Sequence, residues 1–248
     1  MQWSLIVEPG GRPGHENMAI DDALLRRAQE GVAFFRLYGW QPPCLSFGRH
    51  EPAVARYDRD RIAALGLATV RRPTGGRAVW HDAEVTYAVA APSVCFGSLA
   101  DTYRAIHGVI AAALRTLGVP AAQAGPQAPV APGAGACFAR PAGGEVIVGT
   151  RKLVGSAQVR EGSAFLQHGS ILLVDGQDLV AAVTRGPAPP SAATSVAAAL
   201  GRVVPFADVA GAIARAARAA WPGTWETSPP PPLDDWGRFA DPAWTWRR

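Results

Sequence analysis

Three consecutive segments in the second half of the chain constrain its fold most strongly. Each is apolar or alternates apolar with polar residues, and glycine-containing turns separate them; they are 145–148, 152–159 and 164–174. Connections this short join neighbouring strands in antiparallel order. Further strand candidates are 5–8, 33–38, 44–47, 68–72 and 78–90. The sequence therefore predicts mixed, largely antiparallel sheets.

Helices are predicted between these strands. The clearest is 99–117, where apolar residues recur at helical spacing and stop at Gly118. Further helix candidates are 15–29, 58–65, 195–200 and 206–220. Strands and helices mixed in this way, with hairpin spacing, predict an α+β (mixed α/β) fold with helices flanking the sheets. Residues 125–136, rich in Pro, Gly and Ala, predict a mobile loop, and the Pro/Trp-rich tail at 228–248 predicts irregular structure.

Composition excludes several classes of protein. The chain has 248 residues and is 48% hydrophobic, enough for one sizeable core, but no apolar run is long enough to cross a membrane. Its three cysteines and the lack of a signal peptide predict a cytoplasmic protein without disulfides. No cysteine or histidine pair has zinc-ligand spacing, so no metal is expected. The net charge of +4 suits an acidic partner, and the dispersed arginines do not indicate nucleic acid.

Lys152 is the only lysine among the 24 lysine and arginine residues. Arginine stays protonated, whereas a lysine can lose its proton when it is desolvated. Because every other strongly basic residue is arginine, we infer a role in which Lys152 has to lose its proton. The alternative is that an arginine-rich composition left one lysine by chance.

Residues 71–82, with the sequence Arg-Arg-Pro-Thr-Gly-Gly-Arg-Ala-Val-Trp-His-Asp, form the first candidate binding motif. Gly75 and Gly76 allow the backbone to approach a ligand closely, and Arg71, Arg72 and Arg77 supply positive charge. The alternative is an ordinary tight turn on a basic surface.

The second candidate motif surrounds Lys152, at 149–158 and 166–172. Its small residues leave room beside the lysine for a chain-like ligand. His168 in this motif, like His81 in the first, is either a general base or a hydrogen-bonded core histidine.

Cys137 lies 15 residues before Lys152, at the end of the predicted loop. A thiol is a good nucleophile as thiolate, and a nearby ammonium lowers its pKa. A hairpin would bring the two side chains together, although the spacing does not require it. Cys44 and Cys95 are interpreted as apolar core residues.

Together these segments resemble the catalytic domain of lipoate–protein ligases and octanoyltransferases, which is related in fold to biotin–protein ligases. The resemblance rests on 71–82 with 84–87 and on 151–158 with 167–170, and it runs from residue 17 to about 220. Two features are similar to the cysteine-dependent octanoyltransferases rather than to the ATP-dependent ligases. Arg77 stands where ligases usually have a third glycine, and Cys137-Phe138 stands where these transferases carry their acyl-accepting cysteine.

The resemblance implies a biotin/lipoate–protein ligase-like catalytic domain over 1–227 and a two-step acyl transfer as the first step of protein lipoylation. Cys137 would accept octanoyl from octanoyl-acyl carrier protein as a thioester, with Lys152 as its catalytic partner. A lysine of a lipoyl-domain protein, such as the glycine cleavage H protein, would then take the octanoyl group. No cofactor, metal, nucleic acid or membrane is implied. The implied acyl-substrate-binding residues are Arg71, Arg72, Gly75, Gly76, Arg77, His81, Gly155, Ser156, Ala157, Gln158, His168 and Gly169.

Three alternative functions stay open at this point. The first is a lipoate–protein ligase that adenylates lipoate with ATP and magnesium. The second is an amidotransferase that moves lipoyl or octanoyl groups between carrier proteins, also through a cysteine. The third is a catalytically silent module that binds carrier proteins, which the presence of both Cys137 and Lys152 argues against.

Overall fold

The computed structural model describes residues 1–125, 138, 143–188, 191–233 and 236–247. The strands in these residues are β1 (Gln2–Arg12), β2 (Ala33–Trp40), β3 (Cys44–Phe47), β4 (Ala68–Arg71), β5 (Val79–His81), β6 (Glu84–Pro92), β7 (Ala121–Gln123), β8 (Val146–Val148), β9 (Arg151–Lys152), β10 (Val154–Glu161), β11 (Ala164–Leu172) and β12 (Thr224–Thr227). The helices are α1 (Gly14–Ala28), α2 (Ala53–Arg56), α3 (Arg59–Ala64), α4 (Leu99–Thr116), α5 (Asp178–Ala182), α6 (Val196–Leu200), α7 (Phe206–Ala220) and α8 (Pro242–Thr245). Apart from Gly125, the predicted mobile loop and Cys137 lie outside the described residues.

A six-stranded sheet in the order β10-β11-β6-β2-β1-β12 forms the centre of the fold. β1 pairs in parallel with β2 and β12, and the other three pairings are antiparallel. β2 and β11 are buried along their whole length because helices cover both faces of the sheet. Alternate residues of β2 point to opposite faces: Phe34 packs in the cluster that includes α1, and Phe35 in the cluster that includes α4 and α7. The predicted α+β fold with largely antiparallel sheets is confirmed.

Two three-stranded sheets, β4-β3-β5 and β7-β8-β9, flank the large one. They correct two strand predictions. The segment 78–90 is two strands, because the chain turns at Asp82 and Ala83 and passes from β5 in a small sheet to β6 in the large one. The segment 152–159 is likewise divided, because the chain changes sheets at Leu153 between β9 and β10.

The five predicted helices are confirmed to within one residue at each end, as α1, α3, α4, α6 and α7. Local capping explains the precision. At the start of α4, the Ser98 hydroxyl accepts from the Asp101 backbone N–H, and the Asp101 carboxylate accepts from the Ser98 N–H. At its end, Gly118 takes the left-handed conformation with φ of 90° that stops a helix. No helix among the described residues combines the length and hydropathy needed to cross a membrane.

The C-terminal tail is more ordered than the sequence predicts. It contains a 3-10 turn at Gly237–Ala240 and the helix α8, and it packs against the body of the protein. The Trp246 ring lies 5.1 Å from Phe47, and the Arg71 guanidinium donates to the carbonyls of Trp244 at 2.9 Å and Thr245 at 3.1 Å. The division of the chain at residue 227 stays a prediction.

Candidate active site

A pocket opens where β10 and β11 meet α1, β2 and β5. Seven of the residues predicted from the two motifs line it: Arg72, His81, Gly155, Ser156, Ala157, His168 and Gly169. The remaining lining residues are Met18, Tyr38, Trp40, Val79, Thr86 and Ser170. The two motifs, about 80 residues apart in the sequence, therefore form opposite parts of one mostly apolar cavity.

His168 is a buried, fully hydrogen-bonded histidine at this pocket. Its Nδ1 donates to the Asp21 carboxylate at 2.9 Å, so its Nε2 is the acceptor facing the Thr74 hydroxyl at 2.6 Å. Burial lowers the pKa of His168, and the bond to Asp21 offsets this only in part. Burial opposes ionisation of Asp21, but the bond from His168 and the charge of Arg36 outweigh it and lower the Asp21 pKa. This geometry favours the interpretation of His168 as a positioned core histidine.

His81 and Arg72 belong to a second hydrogen-bonded group on the other side of the pocket. His81 Nδ1 donates to Glu84 at 2.8 Å, and its Nε2 lies 2.6 Å from the Ser46 hydroxyl. The Trp40 ring stacks on His81 at 3.9 Å. Arg72 donates to the carbonyl of Ser46 at 3.1 Å. These contacts fix the side chains that form the polar part of the pocket wall.

Five predicted binding residues do not line the pocket. Gly75 and Arg77 instead present their carbonyls to Arg72, at 3.1 and 2.7 Å, and so hold its guanidinium. Arg71 is directed to the C-terminal tail. The other two are Gly76, which faces Ala157, and Gln158, which donates to Gln167 at 2.6 Å.

Lys152 lies on β9, buried beside a carboxylate that the sequence analysis missed. Its ammonium Nζ is 2.6 Å from Glu145 Oε1, and the two side chains are 3% and 5% exposed. The same Nζ is 5.2 Å from the centre of the Phe138 ring. The register of the hairpin formed by β8 and β9 explains why Lys152 and Glu145 meet. A turn at Gly149 and Thr150 places Lys152 opposite Ile147, and Glu145 is then its diagonal neighbour on the same face.

Phe138 connects this lysine to the pocket. Its ring packs on Gly155, where an added Cβ would lie 2.7 Å from the ring. Gly155 lines the pocket, so the aromatic ring fills the space between the pocket wall and Lys152. Of the other cysteines, Cys44 is buried and Cys95 half-buried, and burial raises the pKa of both thiols, as expected of core residues.

His107 on α4 is a further residue that the sequence analysis missed. Its Nδ1 donates to the Gly144 carbonyl at 2.8 Å, so its Nε2 accepts from the Ser156 hydroxyl at 2.8 Å. Tyr87 lies 2.7 Å from the same hydroxyl. The sequence contains one indication of this residue. His107 follows Tyr103 by four residues, which places both side chains on one face of the predicted helix.

Residues 13–218 match the family of the lipoyl protein ligase A/B catalytic domain. The chain belongs to this family. The resemblance inferred from the two motifs is thereby confirmed. The chain is 42% identical over 198 residues to octanoyltransferase LipM of Kyrpidia tusciae, covering 75% of this chain and 72% of the relative. It is 39% identical over 230 residues to octanoyltransferase LipM of Symbiobacterium thermophilum, covering 86% and 84%.

Solved structures of lipoyl protein ligases share the fold. A lipoate-protein ligase A bound with ATP superposes with a TM-score of 0.77 at 21% identity, covering 92% of this chain and 89% of that one. A putative lipoate protein ligase from T. acidophilum has a TM-score of 0.78 at 20% identity, covering 99% of both chains. Identities this low establish the architecture and leave the reaction to other evidence.

From the burial of His107 we predict that this lipoyl protein ligase A/B catalytic domain loses stability in acid. Burial lowers its pKa to about 4, against an ordinary value near 6.5, and the bond to Gly144 offsets burial only in part. Between these values the unfolded chain binds a proton that the folded protein excludes, so stability falls as the pH falls. We expect a loss of roughly 2–3 kcal/mol in the free energy of unfolding from pH 7 to 4.5.

Urea unfolding at several pH values measures this loss. His107→Gln is expected to make the pH dependence less steep, although His168 and Asp21, whose pKa values are also lowered, still contribute to it. His50→Gln, at an exposed position, is expected to keep the full pH dependence. An equally steep pH dependence in His107→Gln and the wild type would contradict the assignment.

Proposed function

We propose that the protein transfers an octanoyl group from octanoyl-acyl carrier protein, through a thioester on Cys137, to a lysine of a lipoyl-domain protein. The observation that carries the proposal is the buried Lys152 ammonium, held between Glu145 and Phe138, whose ring separates it from the apolar pocket. The relatives named octanoyltransferase support the choice of acyl group. The protein is accordingly an acyltransferase.

The position of Phe138 supports Cys137 as the acyl acceptor. Consecutive Cα atoms are about 3.8 Å apart, and the Phe138 ring is 5.2 Å from Lys152 Nζ. The residue that follows Cys137 in the sequence thus lies close to the ammonium, which supports a partnership between the thiol and Lys152. An ammonium in such a position stabilises the thiolate, which is the nucleophilic form of cysteine.

The first step transfers the acyl group to the enzyme. The Cys137 thiolate attacks the octanoyl carbonyl, its new C–S bond forms, and the C–S bond to the carrier breaks. The carrier's sulfur leaves as a thiol after taking a proton from the Lys152 ammonium, which becomes a neutral amine. The pocket holds the octanoyl chain against its apolar side chains, among them Met18, Trp40 and Val79.

The second step transfers the acyl group to the acceptor. The amine of the acceptor lysine attacks the thioester, the amide C–N bond forms, and the bond to Cys137 breaks. Lys152 takes the proton that the amine loses, which restores the ammonium and the thiolate. This cycle uses one group first as an acid and then as a base, which a lysine can do and an arginine cannot.

The partners follow from this chemistry and from charge. A thioester donor is already activated, so the route requires no nucleotide. We propose octanoyl-acyl carrier protein as the donor and the glycine cleavage H protein as an acceptor, because acidic carrier proteins suit a chain of net charge +4. The free cysteines Cys44 and Cys95 support a reducing compartment, for which we propose the cytoplasm.

A reconstituted transfer assay tests the proposal. Octanoyl-acyl carrier protein, the protein and an unmodified H protein are combined without ATP, and the acceptor is analysed by mass spectrometry. We expect the octanoyl amide to form without ATP and free octanoate to be a poor donor even with ATP and magnesium. Strict dependence on ATP and a free acid would indicate the ligase instead. Faster transfer from an octanoylated H protein than from the acyl carrier protein would indicate the amidotransferase.

A further inference from the structure

The carboxylate beside Lys152 has no part in the two transfer steps, yet among the described residues it is the charged group that pairs with the ammonium. Glu145 Oε1 lies 2.6 Å from Lys152 Nζ, and both side chains are almost completely buried. A buried ammonium without a counter-ion is destabilised by several kcal/mol and tends to lose its proton. A lysine in this place therefore needs an anion if it is to begin the cycle as an acid.

We propose that Glu145 is a positioning residue of the active site, which fixes the Lys152 ammonium beside Phe138 and keeps it charged between turnovers. The inference rests on the proposed function, since it assigns Lys152 the proton that the leaving carrier thiol receives. Glu145 itself touches neither the acyl group nor the thiol in this assignment, and it acts through the lysine.

Glu145 is itself held firmly, mainly by α4. The Tyr103 hydroxyl donates to Glu145 Oε1 at 3.2 Å, so the same oxygen binds both the phenol and the ammonium. The Glu145 carbonyl accepts from the Ala124 N–H at 2.7 Å. The adjoining Gly144 carbonyl accepts from His107. The carboxylate is thus anchored through its side chain and through its backbone on both sides.

Among the described residues, the other groups that face Lys152 do not supply a negative charge, so Glu145 is the group that can keep the ammonium charged. Tyr103 and His107 face it from α4, and their rings are 4.1 Å apart. His107, with its pKa lowered to about 4 by burial, is neutral throughout the neutral pH range. The segment 192–194, which pairs with the Lys152 backbone, is Ala-Ala-Thr and carries no ionisable side chain. Phe138 contributes the face of its ring, which favours a cation.

The single lysine of this chain allows a direct test. In protein labelled with ¹³C at lysine Cε, one side-chain signal reports the titration of Lys152, without any reference to octanoyl transfer. Glu145→Gln keeps the size of the side chain and an oxygen acceptor but removes the charge. We expect the titration midpoint to fall by about one pH unit or more in this variant. Glu51→Gln is the matched control, because Glu51 is a buried glutamate that pairs with Arg56 instead.

Transfer kinetics form the second arm of the test. In Glu145→Gln we expect kcat for octanoyl transfer to fall by about tenfold or more, while KM for the octanoyl carrier changes little. Tyr103→Phe, which removes one hydroxyl, is expected to move both quantities in the same direction by less. It keeps the test informative if Glu145→Gln does not fold.

The results separate this inference from the proposed function. An unchanged midpoint in Glu145→Gln and Tyr103→Phe would overturn the role of Glu145, whatever the protein transfers. A lowered midpoint with unchanged kcat would overturn its part in the reaction. If the wild type transfers no octanoyl group although the midpoint shifts, the proposed function fails and the Glu145–Lys152 pairing stands.

Discussion

Lys152→Arg is expected to slow octanoyl transfer by about a hundredfold or more and to leave the fold intact. Arginine retains the positive charge, and its guanidinium can still pair with the buried carboxylate of Glu145, so no buried charge is left without a partner. It cannot give its proton to the leaving carrier thiol, because the guanidinium stays protonated at any physiological pH. The loss should therefore appear in kcat.

Arg151→Lys is the matched control for this substitution. Arg151 is the exposed neighbour on the same short strand, and its replacement by lysine is expected to leave turnover unchanged. The double variant Arg151→Lys/Lys152→Arg keeps the composition and exchanges only the two positions, and it should be as slow as Lys152→Arg. Single-turnover kinetics and thermal unfolding measure the two effects separately. Near-normal turnover in Lys152→Arg would remove the argument for a group that gives up its proton.

Arg71→Lys is expected to destabilise the protein by about 3 kcal/mol or more. The Arg71 guanidinium is fully buried, and its partners among the described residues are all backbone carbonyls. These belong to the C-terminal tail (Trp244, Thr245 and Arg247) and to the segment that follows β3 (Gly48, Arg49 and Glu51). A lysine has three donors at one point and cannot reach both sets, so several buried carbonyls would lose their partners.

Urea unfolding measures this loss, with Arg61→Lys at an exposed position as the control. Hydrogen exchange of the tail amides, including those of α8, should increase in Arg71→Lys because the tail is released. A change of less than about 0.5 kcal/mol would contradict the structural role. Lower transfer activity at unchanged stability would return Arg71 to the substrate-binding role expected from its motif.

Local pattern accounts for the parts of the fold that the sequence predicts well. The helices were located because apolar spacing and capping residues such as Ser98 and Gly118 act within one or two turns. The segment 78–90 was predicted as one strand because its apolar character continues through Asp82 and Ala83. Which sheet each half joins depends on pairing with β3 and β11, which are distant in the sequence.

The same distinction separates the site residues that were found from those that were missed. Lys152 was identified by its uniqueness, and the glycine and small residues of the pocket by their motifs. The pairing of Glu145 with Lys152 follows from the hairpin register around Gly149 and Thr150, and not from either motif. The role of Asp21 cannot be predicted from the sequence, because its contact with His168 joins residues 147 positions apart. A carboxylate on an apolar helix face also gives no local indication of its partner. Long-range burial decides such contacts.

Trapping of the acyl-enzyme tests the central claim most directly. The protein is incubated with octanoyl-acyl carrier protein in the absence of ATP and of any acceptor, then analysed by intact mass and peptide mapping. The account predicts one octanoyl adduct on the peptide that contains Cys137, labile to hydroxylamine as a thioester is, and absent from Cys137→Ala. No adduct on the wild type, or an adduct that persists in Cys137→Ala, would contradict it.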